Sequence, residues 1–285
     1  MQYAHPEVLV DPQWLKEHHK DADIRVIEVD MDPKMYAAGH VPGAIGLDWT
    51  KDLQDPVRRD IPSPQQFERL MGERGVSNDH TVILYGDSAN WFAAYAFWVF
   101  KLYGHRDVRL LNGGRAKWLS DETLPMSTEM PDHAPAAYRT SPIDARYRAN
   151  VMEALSASEA TRTRLAQMVD VRSPDEFSGK VIAPPGMTET AQRGGHIPGA
   201  VSVPWGTAVN TDGTFKSPEE LRGIYVEGKG LAASTPTIAY CRIGERSSHT
   251  WFVLKYLLGF SDVKNYDGSW TEYGSMVGVP IEKNA

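Results

Sequence analysis

The segment Tyr240-Cys241-Arg242-Ile243-Gly244-Glu245-Arg246-Ser247-Ser248-His249-Thr250-Trp251 joins two kinds of apolar patterning. Upstream, Thr237–Tyr240 is a short apolar run, as in a buried strand. Downstream, residues 247–258 carry Trp251, Phe252, Leu254, Tyr256, Leu257 and Leu258 at spacings that predict an amphipathic helix. The loop between, 241–246, holds the chain's only cysteine at its first position. Backbone N–H groups of a tight loop entering a helix converge inward, and the helix N-terminus adds partial positive charge. Arg242 and Arg246 add two formal charges. Such surroundings lower a thiol pKa from its ordinary value of about 8.5, so Cys241 is expected as a thiolate. The same cradle binds the oxygens of an anionic substrate, which sets the thiolate up as a nucleophile. A lone cysteine is otherwise often an inert buried thiol. That alternative gives no reason for two arginines and a glycine in the next five residues.

Spacing separates two chemistries. A cysteine phosphatase needs Cys-x5-Arg, whose larger loop closes around a tetrahedral phosphate. Here Arg246 follows Cys241 as Cys-x4-Arg, one residue short. A smaller ring leaves less room for four oxygens around the sulfur, and fits transfer of a single sulfur atom better.

The rest of the chain bounds this reading. A length of 285 residues predicts two domains, each large enough for its own core. With 41% hydrophobic and 24% charged residues and a mean hydropathy of −0.41, a soluble globular protein is expected. The net charge of −7 and the lack of a basic patch with interleaved aromatics argue against nucleic acid as a partner. Residues 1–10 have neither a basic start nor an apolar core, so no signal peptide is expected. The most apolar stretch, 91–103, is short for a bilayer span and carries Lys101, so no membrane partner is expected and the location is read as cytoplasmic. One cysteine excludes an intrachain disulfide and a cysteine-cluster metal site.

Strands and helices alternate along the first half: 24–29 as strand, 64–74 as helix, Thr81–Tyr85 as strand, 91–103 as helix and Val108–Leu111 as strand. Alternation of this kind implies a parallel α/β sheet. The second half repeats it. Tyr240 answers Tyr85, Gly259 answers Gly104, Val263 answers Val108 and Gly268 answers Gly113, all at an offset of 155. Gly195-His196-Ile197-Pro198-Gly199-Ala200 repeats residues 39–44 at an offset of 156, so one single-residue gap separates the blocks. The expected organisation is a first copy over 1–120, a Pro-containing extended connection over 121–150 and a second copy over 151–285. Residues 178–194 read as a long loop inside the second copy. At the offset of 155, Gly86 faces Cys241 and Asp87 faces Arg242; with one slip Asp87 faces Cys241. In either register the first copy has no thiol, so the chemistry is assigned to the second and a covering role to the first.

Residues 39–44, 110–114 with Trp118, Asp170 with Arg172 and Phe177, 195–200 and 241–251 together resemble the rhodanese family of thiosulfate sulfurtransferases. The resemblance covers almost the whole chain. It implies an α/β fold with two tandem rhodanese-like domains, each a parallel sheet flanked by helices, and a catalytically inactive first copy. Arginine directly after the cysteine resembles the thiosulfate-preferring branch; mercaptopyruvate-preferring relatives commonly have a small residue there. By resemblance, Cys241 attacks the outer sulfur of thiosulfate, sulfite leaves, and a thiophilic acceptor such as cyanide or a small thiol takes the sulfur from the resulting persulfide in a ping-pong cycle. Arg242 would attract the donor, and Arg246 with the backbone of Ile243, Gly244 and Glu245 would complete the substrate-binding cradle, with no metal and no organic cofactor. Arg193 is a candidate cation from the long loop, the alternative being a solvated arginine. Glu245 either pairs with Arg242 or Arg246 or faces solvent. Arg172 is expected to tie to Asp170, and His40 and His196, recurring in both copies, to hold their turns. Two further readings are a 3-mercaptopyruvate sulfurtransferase and a persulfide carrier serving a protein partner. Because tandem copies pair within one chain, a monomer is expected.

Overall fold

The computed structural model describes residues 2–186 and 190–283, and these fall into two compact units. One contains Glu7–Asp144 with Val209–Phe215; the other contains the chain's first residues to Pro6, Ala145–Ala208, and everything described from Lys216 onward. The first unit is built on β1 (Leu9–Val10), β2 (Ile24–Glu28), β3 (Ile45–Gly46), β4 (Thr81–Tyr85) and β5 (Val108–Leu111). The second is built on β6 (Arg148–Ala149), β7 (Gln167–Asp170), β8 (Ala200–Ser202), β9 (Thr237–Tyr240) and β10 (Val263–Tyr266).

Both sheets are wholly parallel and share one strand order, β1-β5-β4-β2-β3 and β6-β10-β9-β7-β8. The registers correspond too: Glu28 pairs with Tyr85 in the first sheet and Asp170 with Tyr240 in the second. Central strands covered on both faces read as continuous apolar runs, and β4 and β9 are of this kind. Val82 through Tyr85 and Thr237 through Tyr240 are all buried. The repeat inferred from glycine and tyrosine spacing is therefore a repeat of whole sheets.

Helices begin where the sequence supplies caps. Pro64–Glu73 opens on Ser63, whose hydroxyl accepts the Gln66 N–H while Gln66 returns to the Ser63 amide. Pro174–Ser178 opens on Ser173 and Glu176 in the same manner. The helix expected at 91–103 is found as Asp87–Leu102, ending one residue earlier, with left-handed φ at Ser88, Ala89 and Asn90 in its opening turn. Phe92 through Phe100 are all buried, which explains an apolar pattern all round rather than a stripe. The helix expected at 247–258 starts earlier, as Glu245–Phe252, and passes into a π-helical turn, Val253–Leu257.

Residues 120–147 contain no helix or strand apart from an isolated bridge of Ser127 with His40. Tyr138 of this segment is buried, with its hydroxyl 3.0 Å from His105 Nδ1. Of the long loop at 178–194, residues 187–189 lie outside the described residues. His40 and His196 act alike. His40 Nδ1 lies 3.0 Å from Tyr36 O and its ring stacks on Tyr36; His196 Nδ1 lies 2.9 Å from Phe177 O and its ring stacks on Phe177. Each ring fastens a turn, as expected of a residue recurring in both copies. No helix among the described residues is long and apolar enough to cross a membrane.

Candidate active site

The site lies at the carboxyl end of β9. Cys241 follows the strand directly and is fully buried. Both of its backbone groups are engaged by the segment after β10: Ser269 Oγ accepts the Cys241 N–H at 3.1 Å, and Cys241 O accepts the Trp270 N–H at 3.0 Å. Thr271 N donates to Arg242 O at 3.0 Å, so two successive loop carbonyls are tied down. The chain then turns at Gly244, whose φ of 103° favours glycine, and a Cβ there would lie 2.8 Å from the Asp267 Cα. That turn aims the Gly244 N–H back at Cys241 Sγ, 3.1 Å away.

Gly244 O is held from several sides. It accepts from Ser248 Oγ at 2.8 Å and Asn265 Nδ2 at 3.1 Å, with Ser247 Oγ 3.0 Å away and 2.6 Å from Asn265 Oδ1, two alternative acceptors for its one hydroxyl hydrogen. These buried polar groups satisfy one another and fix the loop to β10.

Electrostatics follow from this packing. Burial acts to raise the Cys241 pKa, but the Arg246 guanidinium, the Ser247 hydroxyl and the N–H groups of Ser247 and Gly244 outweigh it, and the net shift is downward. Arg246 is clamped by Glu176 in a bidentate pair, Nη1 to Oε2 and Nη2 to Oε1, both at 2.9 Å. Burial disfavours the charge on each partner, yet the pairing raises the Arg246 pKa and lowers that of Glu176. Arg172 is fully buried, bonded to Asp170 at 2.6 Å and to Gly195 O at 2.7 Å, with its guanidinium 4.6 Å from the Trp270 ring centre. It ties strand end to turn, as its position beside Asp170 suggested.

Of the candidate residues, Cys241, Arg242, Ile243, Gly244, Glu245 and Arg246 come together as one buried loop. Glu245 is 1% exposed, so the solvent-facing alternative for it does not hold. Arg193 is placed differently. Its guanidinium donates to Met276 O and its carbonyl accepts Trp270 Nε1 at 2.8 Å, so it meets the loop through Trp270. Sequence reasoning missed Glu176, Ser269 and Asn265. Glu176 sits in a Ser-x-x-Glu capping pattern, which explains the residue fully on local grounds and hides its second partner. Ser269 faces Gly114 at the same 155-residue offset, and that mismatch was a signal available in the sequence.

The first copy shows what the second has added. Tyr85 and Tyr240 each accept a turn amide on their hydroxyl, from Val41 at 2.9 Å and Ile197 at 3.0 Å. The residue after each tyrosine is Gly86 in one case and Cys241 in the other. A Cβ on Gly86 would lie 2.0 Å from Val29 O, so that position has no room for any side chain. The next residue, Asp87, turns away to accept the Met31 amide at 2.7 Å.

A Rhodanese-like domain profile matches residues 11–121 and again 152–276. The sulfur carrier protein TtuD of Thermus thermophilus is 53% identical over 284 residues, covering 99% of each chain. A putative thiosulfate sulfurtransferase of Mycolicibacterium smegmatis is 55% identical over 280 residues, covering 98% of this chain and 99% of its own. Among solved structures, SseA of Escherichia coli, described as a 3-mercaptopyruvate sulfotransferase, superposes with a TM-score of 0.79 at 29% identity, over 92% of this chain and 98% of that one. Two parallel five-stranded sheets with helices on their faces, four strands of each lying inside one profile match, define a tandem-domain protein. The chain belongs to the rhodanese family of sulfurtransferases.

Proposed function

We propose that the chain moves a sulfane sulfur from thiosulfate to a thiophilic acceptor through a persulfide on Cys241. The Cys241 thiolate attacks the outer sulfur of thiosulfate; a new S–S bond forms, the bond to the sulfonate sulfur breaks, and sulfite leaves with the electron pair. Cyanide or a thiolate then attacks the outer persulfide sulfur, and the Cys241 thiolate is returned. One observation carries this reading: a buried thiol whose Sγ accepts the Gly244 amide and whose pKa is held down by Arg246. Arg242, adjacent to the nucleophile, favours a dianionic donor, and the amides of Ile243, Gly244 and Glu245 are the groups that stabilise charge on the outer sulfur. In this reading the second copy, 151–285, is catalytic and the first, 1–120, is not, because Gly86 stands where the nucleophile would be.

A second reading concerns the acceptor. The Thermus relative is named a sulfur carrier, which favours delivery to a protein in place of cyanide. The test is intact mass after incubation with thiosulfate, for wild type and Cys241→Ser. A gain of roughly one sulfur atom in wild type alone, removed by cyanide, is the expected result. An adduct from mercaptopyruvate but not thiosulfate would reassign the donor. A persulfide that forms but resists cyanide and small thiols would favour a protein acceptor, and no adduct from either donor would end the sulfurtransfer reading for Cys241.

A further inference from the structure

Ser269 has an unusual backbone for its residue type. It is fully buried, it is not glycine, and its φ is 53°, in the left-handed region that costs an L-residue free energy. The first copy carries glycine there: Gly114, 155 residues earlier, has a φ of 56°. The surroundings correspond as well. Arg115 N donates to Gly86 O at 2.8 Å as Trp270 N donates to Cys241 O at 3.0 Å. What differs is the partner of the next amide. Gly86 N–H donates to Asn90 Oδ1 at 3.1 Å, from within its own loop, whereas Cys241 N–H donates to Ser269 Oγ. A Cβ on Gly114 would lie 2.4 Å from Asn90 Oδ1 and 2.5 Å from Gly86 O, so the two solutions exclude each other.

Resting on the sulfurtransfer reading above, we propose that Ser269 is a positioning residue for Cys241, its unfavourable backbone retained so that its hydroxyl holds the nucleophile's amide. The hydroxyl spans two points: it accepts from Cys241 N at 3.1 Å and donates to Tyr266 O at 2.6 Å, at the end of β10. With Trp270 N on Cys241 O, this fixes the peptide groups on both sides of the cysteine Cα. The Cα–Cβ direction then keeps Sγ 3.1 Å from the Gly244 N–H. A reacting atom enclosed this tightly tolerates little displacement before its rate falls. Glycine serves the first copy because no thiol has to be held there.

Ser269→Ala removes the hydroxyl and keeps the unfavourable φ; Ser269→Gly removes both. Single-turnover persulfide formation from thiosulfate is expected to slow by about tenfold or more in each. The pH midpoint of Cys241 alkylation by iodoacetamide is expected to rise in each, because Sγ drifts from its donors. The glycine variant should melt higher than the alanine variant while being equally slow, a separation that a purely structural role does not produce. Wild-type rates and an unmoved alkylation midpoint in Ser269→Gly would overturn the proposal. So would loss of folded structure by circular dichroism in both variants, which would make the residue structural. Should wild type form no persulfide, the sulfurtransfer reading fails, and the alkylation midpoints still show whether Ser269 positions Cys241.

Discussion

At Cys241 and Arg246 the chemistry reduces to a competition between burial and charge. A fully buried thiol with no cation nearby would be held protonated, yet here Arg246 and the loop donors shift it downward. The sign has a consequence for pH. Reaction needs the thiolate, so the rate is expected to hold from alkaline pH through the ordinary thiol range and to fall only as pH drops through the lowered pKa. Removing the charge of Arg246 should move that midpoint upward. Arg246→Met alone would strand the buried Glu176 carboxylate, so the clean variant is Arg246→Met with Glu176→Gln. Its pH–rate profile for persulfide formation should be displaced to higher pH, with activity partly recovered there. An unmoved profile would mean that the loop amides and Ser247 hold the thiolate without the guanidinium.

Two connecting elements decide whether those residues meet. The turn at Gly244 carries a φ of 103° and has the Asp267 backbone 2.8 Å from where a Cβ would stand. Gly244→Ala is therefore expected to cost at least 1–2 kcal/mol by roughly the left-handed penalty alone, and to swing the amide off Sγ. Denaturant melts and persulfide rates should fall together. The short helix Pro174–Ser178 brings Glu176 to Arg246. Glu176→Ala removes the bidentate partner of a buried guanidinium, and losses of about 3–5 kcal/mol are typical of breaking such a pair from one side. The same equilibrium melt measures it; a loss within experimental error would show that Arg246 finds water or another carboxylate.

Over the whole molecule, two copies of one sheet carry different ends on their central strands. The asymmetry is steric as well as chemical, since Gly86 has Val29 O 2.0 Å from its would-be Cβ. Gly86→Cys should therefore not give a second active loop. It is expected to force β4 from the residue after β2, to lower stability by more than about 4 kcal/mol as severe core overlaps do, and to leave the sulfur stoichiometry at one per chain. Mass spectrometry counting two persulfides on a folded variant would refute this.

Much of this architecture was legible in spacing. Glycines and tyrosines recurring at one offset marked the two copies, because a tight turn or a buried hydroxyl admits few substitutes. The loop 241–246 was legible as a candidate site because a cysteine, two arginines and a glycine cluster within six residues. The sequence by itself determined the alternating α/β class, the duplication and the identity of the candidate nucleophile, all properties of residues near one another in the chain. Only the tertiary structure decided that Glu176 holds Arg246 from 70 residues away, that Arg193 spends its guanidinium on Met276 O, and that Glu245 is buried. It also decided that Ser269 reaches back 28 residues to the cysteine amide. These depend on where β7, β9 and β10 place their ends side by side, and a buried polar partner is chosen by that proximity, which local pattern does not encode.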